Sequence, residues 1–426
     1  MVFSKKTFIY NTQKLMNLLV ISDLHVGAKA RAQDFSTNIE DMCCRNTPDY
    51  INDFECLVNS ENLDVTHILV AGDITQTAAY EEFELAAKNI KKIADILEVD
   101  VQNIFFIPGN HDSSWVDEKS SLARNEPVNL TISKKYMNIV SHPFFSELLQ
   151  NAVHNHMFEA PFGSIWINDH LVVVGINSAA RDGASKDVHH GAVNIDDIKQ
   201  LETKLINCDL KDKVKILLTH HHPKNYTDRT FPDNDFSIMQ NAEAFLRFAT
   251  ENEFDVIVHG HKHIPRFDIH SDYQNYPIVA LSAGSFSASL KDYHNGVANF
   301  FHIIQFEGQC PQNFNRLGKI TSWAYFDNNK WICADKNRDY IAHEEYFGDV
   351  RNRKVLKEHF RREISSVLAQ KNMFRWKKHL EEKPQMKYCN LTLRELALTE
   401  VCSEEGWEYV PVHGHSNDFL IMPEGK

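Results

Sequence analysis

Apolar residues along this chain gather into short runs, each closed by one or two polar residues of unusual type. The runs at 18–21, 68–71, 104–107, 216–218 and 256–258 are nearly uninterrupted and often β-branched, which predicts strands buried on both faces. Between them, Phe83, Ala86, Ile90, Ile93 and Leu97 recur at helical spacing within 78–97, and 195–205 and 242–250 show the same period. Further strands are predicted at 172–176, 278–281 and 298–304. Strands and helices thus alternate over residues 15–308. That is an α/β pattern, with enough strands for two packed mixed β-sheets flanked by helices rather than one doubly wound sheet. Residues 113–160 fit neither period. Trp115, Tyr136, Phe144, Phe145 and Phe158 make that stretch a packed helical segment, expected to roof the cleft.

The pattern changes after about residue 310. Residues 322–334 predict a hairpin with Asp327-Asn328-Asn329 at its turn. A basic, helix-favouring segment follows at 351–387. It holds twelve Lys or Arg against four Glu, a net +8 that leaves −21 on the rest of a chain totalling −13. Such asymmetry predicts a functional surface. Leu356, Phe360, Ile364, Val367 and Phe374 recur at roughly helical spacing and should dock an amphipathic helix on the body. Its outward cations then face solvent or an acidic or nucleic-acid partner, with Trp376 and Tyr388 near enough in sequence to stack on bases. Two domains are therefore expected: a larger α/β one at 14–308 and a smaller α+β accessory one at 320–426.

Composition narrows the setting. The chain has 426 residues, of which 43% are apolar and 24% charged, ordinary for a globular protein with a sizeable core. A net charge of −13 argues against nucleic-acid binding over the whole surface. Eight scattered cysteines form no CxxC pair, and neither a signal peptide nor a membrane span is recognisable. A cytoplasmic protein with reduced thiols and no membrane contact is the expectation.

The polar residues that close the runs carry the chemistry. Asp23-Leu24-His25 follows LLVIS, Gly72-Asp73 follows HILVA, and Gly109-Asn110-His111-Asp112 follows IFFIP. His220-His221-His222-Pro223 follows KILLT, and His259-Gly260-His261-Lys262-His263 follows DVIV. Metal-type side chains at the carboxyl ends of successive strands predict a site there. Their oxygen and nitrogen donors suit two divalent ions, and paired ions suit phosphoryl chemistry.

The ordered set DLH, GD, GNHD, HHP and GHKH resembles the calcineurin-like metallophosphoesterase superfamily. The stretches GDITQTAAYEEFELA, INSAARDG…HHGAVNIDDIKQLE and SAGSFSAS look like its cyclic-AMP phosphodiesterase-like branch. The resemblance covers about 15–308 and implies the four-layer sandwich of that superfamily. It further implies that Asp23, His25 and His263 hold one metal, that Asn110, His221 and His261 hold the other, and that Asp73 bridges. His111 would contact phosphate and protonate the leaving oxygen, with Asp112 orienting the loop or His111. His221 is preferred in the HHHP run by the family's His-x-Pro spacing. His220 is expected to point to the opposite face as a core histidine. The metals would be two divalent ions, manganese foremost, with iron, zinc or nickel as alternatives. The expected activity is a metal-dependent phosphodiesterase cleaving a nucleotide-type ester through a metal-bridged hydroxide. A DNA or RNA nuclease is the alternative, as is an effector-complex subunit gated by its C-terminal region. The second motif lacks the arginine of the resembling GDxVDRG pattern, which speaks against protein Ser/Thr phosphatase activity. His189 and His190 sit where this branch has a substrate-side loop. His413-Gly414-His415 repeats the fifth motif without a preceding β-branched run, and is read as coincidence.

Overall fold

The computed structural model describes residues 16–38, 49–183, 190–226, 237–271, 277–288, 298–309, 316–325, 330–349, 351–412 and 418–424. His189, His413 and His415 lie outside these. Two compact units divide the chain. The larger is formed from Asn17–Ile303 and Ser322–Ile341, the smaller chiefly from Ile304–Thr321 and Ala342–Lys426.

In the larger unit the predicted runs are strands. β1 (Met16–Ile21), β2 (His67–Ala71) and β3 (Ile104–Ile107) are parallel and buried along their whole length. Side chains on both faces are packed, so the alternation of a one-sided strand is absent. A second sheet contains β4 (His154–His156), β5 (Gly163–Ile167), β6 (Leu171–Ile176), β7 (Val214–Thr219), β8 (Val256–His259), β9 (Pro265–Ser271) and β10 (Pro277–Ala283), in the order β4-β5-β6-β7-β8-β10-β9. β6, β7, β8 and β10 are parallel, whereas β4, β5 and β9 pair antiparallel, so the sheet is mixed. β11 (Asn299–Gln309), β12 (Arg316–Tyr325) and β13 (Trp331–Cys333) extend the first sheet to the order β13-β12-β11-β1-β2-β3. The hairpin expected near 322–334 is present as β12 and β13, with Trp323 opposite Cys333; its predicted turn residues lie outside those described.

Helices cover the sheets where the period predicts them. Tyr80–Ile96 buries Phe83, Ala86, Ala87, Ile90, Ile93 and Ala94 on one stripe, and Glu82 closes its first turn by accepting from Thr77 N–H at 2.7 Å. Ile195–Ile206 and Ala242–Glu251 pack Ile198, Leu201, Leu205, Phe245 and Phe248 onto Val172, Val174, Leu217 and Ile257. The unperiodic stretch is four short helices, Trp115–Ala123, Val128–Lys135, Met137–Ser141 and Pro143–Gln150. Tyr136, Phe144 and Phe145 are buried there, as expected.

The smaller unit departs from the sequence reading. β14 (Glu344–Phe347) pairs with the Gly318–Thr321 part of β12. The basic segment is not one helix. Arg353–Leu368 is followed by β15 (Phe374–Arg375), a short helix Trp376–Glu382 and a 3-10 turn from Pro384. Phe374 therefore belongs to a strand, pairing with Ile421 of β17 (Phe419–Pro423), which also pairs with β16 (Trp407–Pro411). Leu356, Phe360 and Ile364 do form a buried stripe, but it packs on Ala397, Leu398 and Cys402 of a helix at Leu391–Glu405 that the period did not predict. That helix also supplies counter-charge. Arg353 and Lys357 reach Glu400 at 3.1 and 2.9 Å, Lys357 reaches Glu404 at 2.7 Å, and Arg361 reaches Glu405 at 2.7 Å. Among the described residues no helix is long and apolar enough to cross a membrane.

Candidate metal centre

Every motif sits where a strand gives way to a loop, and the loops converge. Asp23 and His25 follow β1, Asp73 follows β2, Asn110 to Asp112 follow β3, His220 and His221 follow β7, and His261 and His263 lie between β8 and β9. Asp23, His25, Asp73, His261 and His263 all adopt left-handed backbone, with φ of 50°, 45°, 49°, 76° and 56°. L-residues pay for that conformation, and Asp, Asn and His tolerate it best. Such strain concentrates at functional sites, where surrounding structure imposes it.

Ligand atoms of Asp23, His25, Asp73 and His263 lie within 4.8 Å of one another, and so do those of Asp73, His220 and His261. Asp73 belongs to both groups. Its Oδ2 is 3.5 Å from His25 Nε2 and 3.2 Å from His220 Nε2, so one oxygen stands between the two sets. His263 Nε2 is 3.1 Å from Asp23 Oδ1. Asn110 Oδ1 is 3.2 Å from His261 Nδ1, and the His221 ring lies 4.3 Å from the His261 ring. His111 donates its backbone N–H to Asp73 Oδ1 at 2.9 Å, and its ring is 4.7 Å from that of His25. Gly109 makes this approach possible, because a Cβ there would stand 2.1 Å from Asp73 Oδ1.

One expectation is overturned. His220 was placed on the far face by strand alternation, yet its Nε2 points at Asp73. The strand ends at Thr219, so period-two alternation no longer governs residue 220. His220 Nδ1–H donates to Ala71 O at 2.9 Å, joining the two sheets and turning Nε2 inward. His221 lies beside it, with Nδ1 2.9 Å from Ser178 Oγ. Asp112 is also not placed for chemistry. It is fully buried and accepts from Ile74, Thr75 and Gly109 N–H and from Thr75 Oγ1, which makes it a positioning residue. His190 is half-buried and is not among the grouped ligand atoms.

The electrostatics ask for cations. Asp23 and Asp73 are 0% and 2% exposed. Burial works to raise both carboxyls, but neighbouring imidazoles outweigh it: His263 lowers Asp23, and His220 and His111 hold Asp73 well below the usual carboxylate range. Burial keeps His25 down to about 3 and His261 well below its ordinary value. Burial also opposes charge on His220, but the Asp73 carboxylate outweighs it and raises that imidazole to about 9. Two buried anions thus face the His25 and His261 rings, which burial keeps neutral. His25 Nδ1 is 3.1 Å from Gln76 Oε1, an acceptor, so the proton is on Nδ1 and the Nε2 lone pair looks at carboxylate oxygens. Lone pair against anion is repulsive unless a cation stands between them. The donor set fits two divalent ions.

A sequence model of the family described as calcineurin-like phosphoesterase matches residues 16–265. Among solved structures, a dimetal phosphatase from Danio rerio shares 10% identity with a TM-score of 0.39, covering 72% of this chain and 95% of its own. A purple acid phosphatase from yellow lupin shares 12% identity with a TM-score of 0.45, covering 75% of this chain and 52% of its own. An NAD nucleotidase from Haemophilus influenzae shares 13% identity with a TM-score of 0.34, covering 93% and 62%. A search of curated proteins finds no match.

Proposed function

The chain belongs to the calcineurin-like phosphoesterase family and is a metal-dependent phosphoesterase with a buried Asp/His dimetal site, and we propose that the ester it cleaves is a phosphodiester of nucleotide type. The observation that carries the reading is Asp73 standing between two donor groups with His111 beside them. Asp23, His25, Asp73 and His263 would hold one ion. Asp73, Asn110, His261 and, by its inward Nε2, His220 would hold the other, in place of the His221 expected from spacing. When bound, the two ions supply positive charge that polarises a phosphoryl oxygen and makes water acidic enough to attack at neutral pH. Manganese is the ion we favour, although this donor mix also accepts iron, zinc or nickel.

The protein's own groups do the rest. His111 Nδ1–H donates to Gln76 O at 2.9 Å, so Nε2 is the atom turned to the departing oxygen, and it hands over a proton from the doubly protonated ring, which the transfer leaves as the neutral Nδ1–H form. The carboxylate of Asp112 holds the loops of the second and third motifs together, fixing Asp73 and His111 relative to each other. Resemblance of GDITQTAAYEEFELA and the neighbouring stretches to the cyclic-AMP phosphodiesterase-like branch supports a nucleotide diester. A nuclease draws less support, since Arg353, Lys357 and Arg361 are engaged by Glu400, Glu404 and Glu405.

Turnover of a panel tests the reading: cyclic nucleotides, linear dinucleotides, single-stranded and duplex DNA, RNA, and bis-p-nitrophenyl phosphate. A nucleotide diester should be the best substrate. His111→Ala should slow its hydrolysis by about 10²–10⁴, and less for the nitrophenyl ester, whose leaving group barely needs a proton. Hydrolysis confined to monoesters would overturn the diester reading.

A further inference from the structure

Gln76 touches two parts of the site through two different atoms. Its side-chain Oε1 faces His25 Nδ1 at 3.1 Å, and its main-chain O faces His111 Nδ1 at 2.9 Å. These two histidines come from different motifs, 51 residues to one side and 35 to the other. Both acceptors are carbonyl oxygens, which take a proton but give none. Each imidazole therefore keeps a proton on Nδ1 and turns Nε2 to the site.

The residue is itself tightly held. Val26 and Thr75 form a β-bridge, and Gln76 N–H donates to Val26 O at 3.0 Å. Gly27 leaves room for it, since a Cβ at 27 would stand 2.6 Å from Gln76 Cβ. Just beyond, Thr77 N–H is tied to Glu82 at the start of the following helix. Gln76 is half-buried and uncharged. An amide there orients His25 without adding a third negative charge beside Asp23 and Asp73, which a carboxylate would do.

We infer that Gln76 is a positioning residue for the first metal ion, acting through His25, while its main chain independently sets His111. The inference rests on the reading of Asp23, His25, Asp73 and His263 as ion ligands. Partners of this kind fix the ring orientation and basicity of a ligating histidine, and their loss costs about 10–100-fold in metal affinity.

Manganese titration of the metal-free full-length protein tests it, read as stoichiometry and affinity by calorimetry. The parent should bind two ions. Gln76→Leu should bind one with parental affinity and the other about 10–100-fold more weakly. At saturating manganese its ratio of rates for good and poor leaving groups should match the parent's, because the acceptor for His111 is main chain. Gln76→Glu keeps an acceptor and should retain the affinity, which also answers a Leu variant that fails to fold. Two ions bound by Gln76→Leu as tightly as by the parent would overturn the inference, as would Gln76→Glu losing as much affinity as His25→Ala. A parent that binds no ion would instead bring down the reading of the site, and this inference with it.

Discussion

Replacing Asp112 by Ala removes a carboxylate that lies outside the reacting centre, so its effect separates positioning from chemistry. Three buried backbone N–H groups lose their acceptor: Ile74 at 3.0 Å, Thr75 at 2.8 Å and Gly109 at 2.9 Å. The Thr75 hydroxyl, also bonded at 2.9 Å, has a second acceptor in His111 O at 3.3 Å and is spared. An orphaned buried N–H costs about 1–3 kcal/mol, which sets a gross loss of about 3–9 kcal/mol. Two effects pull the figure to the low end. Water enters the space vacated by the carboxylate, and burial together with the charge of Asp73 already pushes the Asp112 carboxyl up to about 6, offsetting part of its contribution. A loss of about 3 kcal/mol is expected for the metal-free protein, a large share of the roughly 5–15 kcal/mol of an ordinary fold. The loop carrying His111 should shift with it, and turnover should fall about 10²-fold, as misplacement of about 1 Å does. Denaturant unfolding followed by circular dichroism, with turnover at saturating metal, measures both. Asp112→Asn, which retains one acceptor oxygen, should fall between. Unfolding within about 0.5 kcal/mol of the parent, together with unchanged turnover, would refute the accounting.

Two further outcomes follow from the same geometry. His220→Ala should lose the second ion on metal analysis, whereas His221→Ala, whose Nδ1 is beside Ser178, should retain both; the reverse result would restore the assignment from spacing. Arg361→Glu should lower the thermal midpoint of the protein more than Arg362→Glu, because Arg361 meets three carboxylates, Glu358, Glu404 and Glu405, while Arg362 meets Glu363 at 3.4 Å and the His359 ring at 3.2 Å, and equal midpoints would show that these pairs contribute nothing.

How much of this was readable beforehand depends on how local each signal is. A β-branched run closed by Asp or His is a one-dimensional pattern, so Asp23, Asp73, Asn110 and His261 were placed at strand ends from sequence. The direction of His220 hinged on a strand ending one residue earlier than alternation assumed. Gln76 left no trace, because its two contacts exist only once the loops carrying His25 and His111 have met. In the C-terminal quarter the helix Leu391–Glu405 was missed for a physical reason. Its buried stripe Leu391, Arg394, Leu398, Val401 has an arginine at an inner position, with Arg394 lying over the rings of Trp376 and Phe419. An apolar period interrupted by a charge does not announce a core-facing helix, and without it the Lys and Arg of 353–361 had no visible counter-charge.

The donors are divided between the two sheets: Asp23, His25, Asp73 and Asn110 stand at the ends of β1, β2 and β3, and His220, His261 and His263 at the ends of β7 and β8. An ion held by both groups is a rivet through the sandwich, joining layers that otherwise meet through side-chain packing and bonds such as that from His220 to Ala71. Ligands that bind only the folded chain raise its stability in proportion to the logarithm of their concentration. Resistance of the chain to proteolysis would then rise with the concentration of the ion, so that removing metal would expose the polypeptide to cleavage as well as stop turnover.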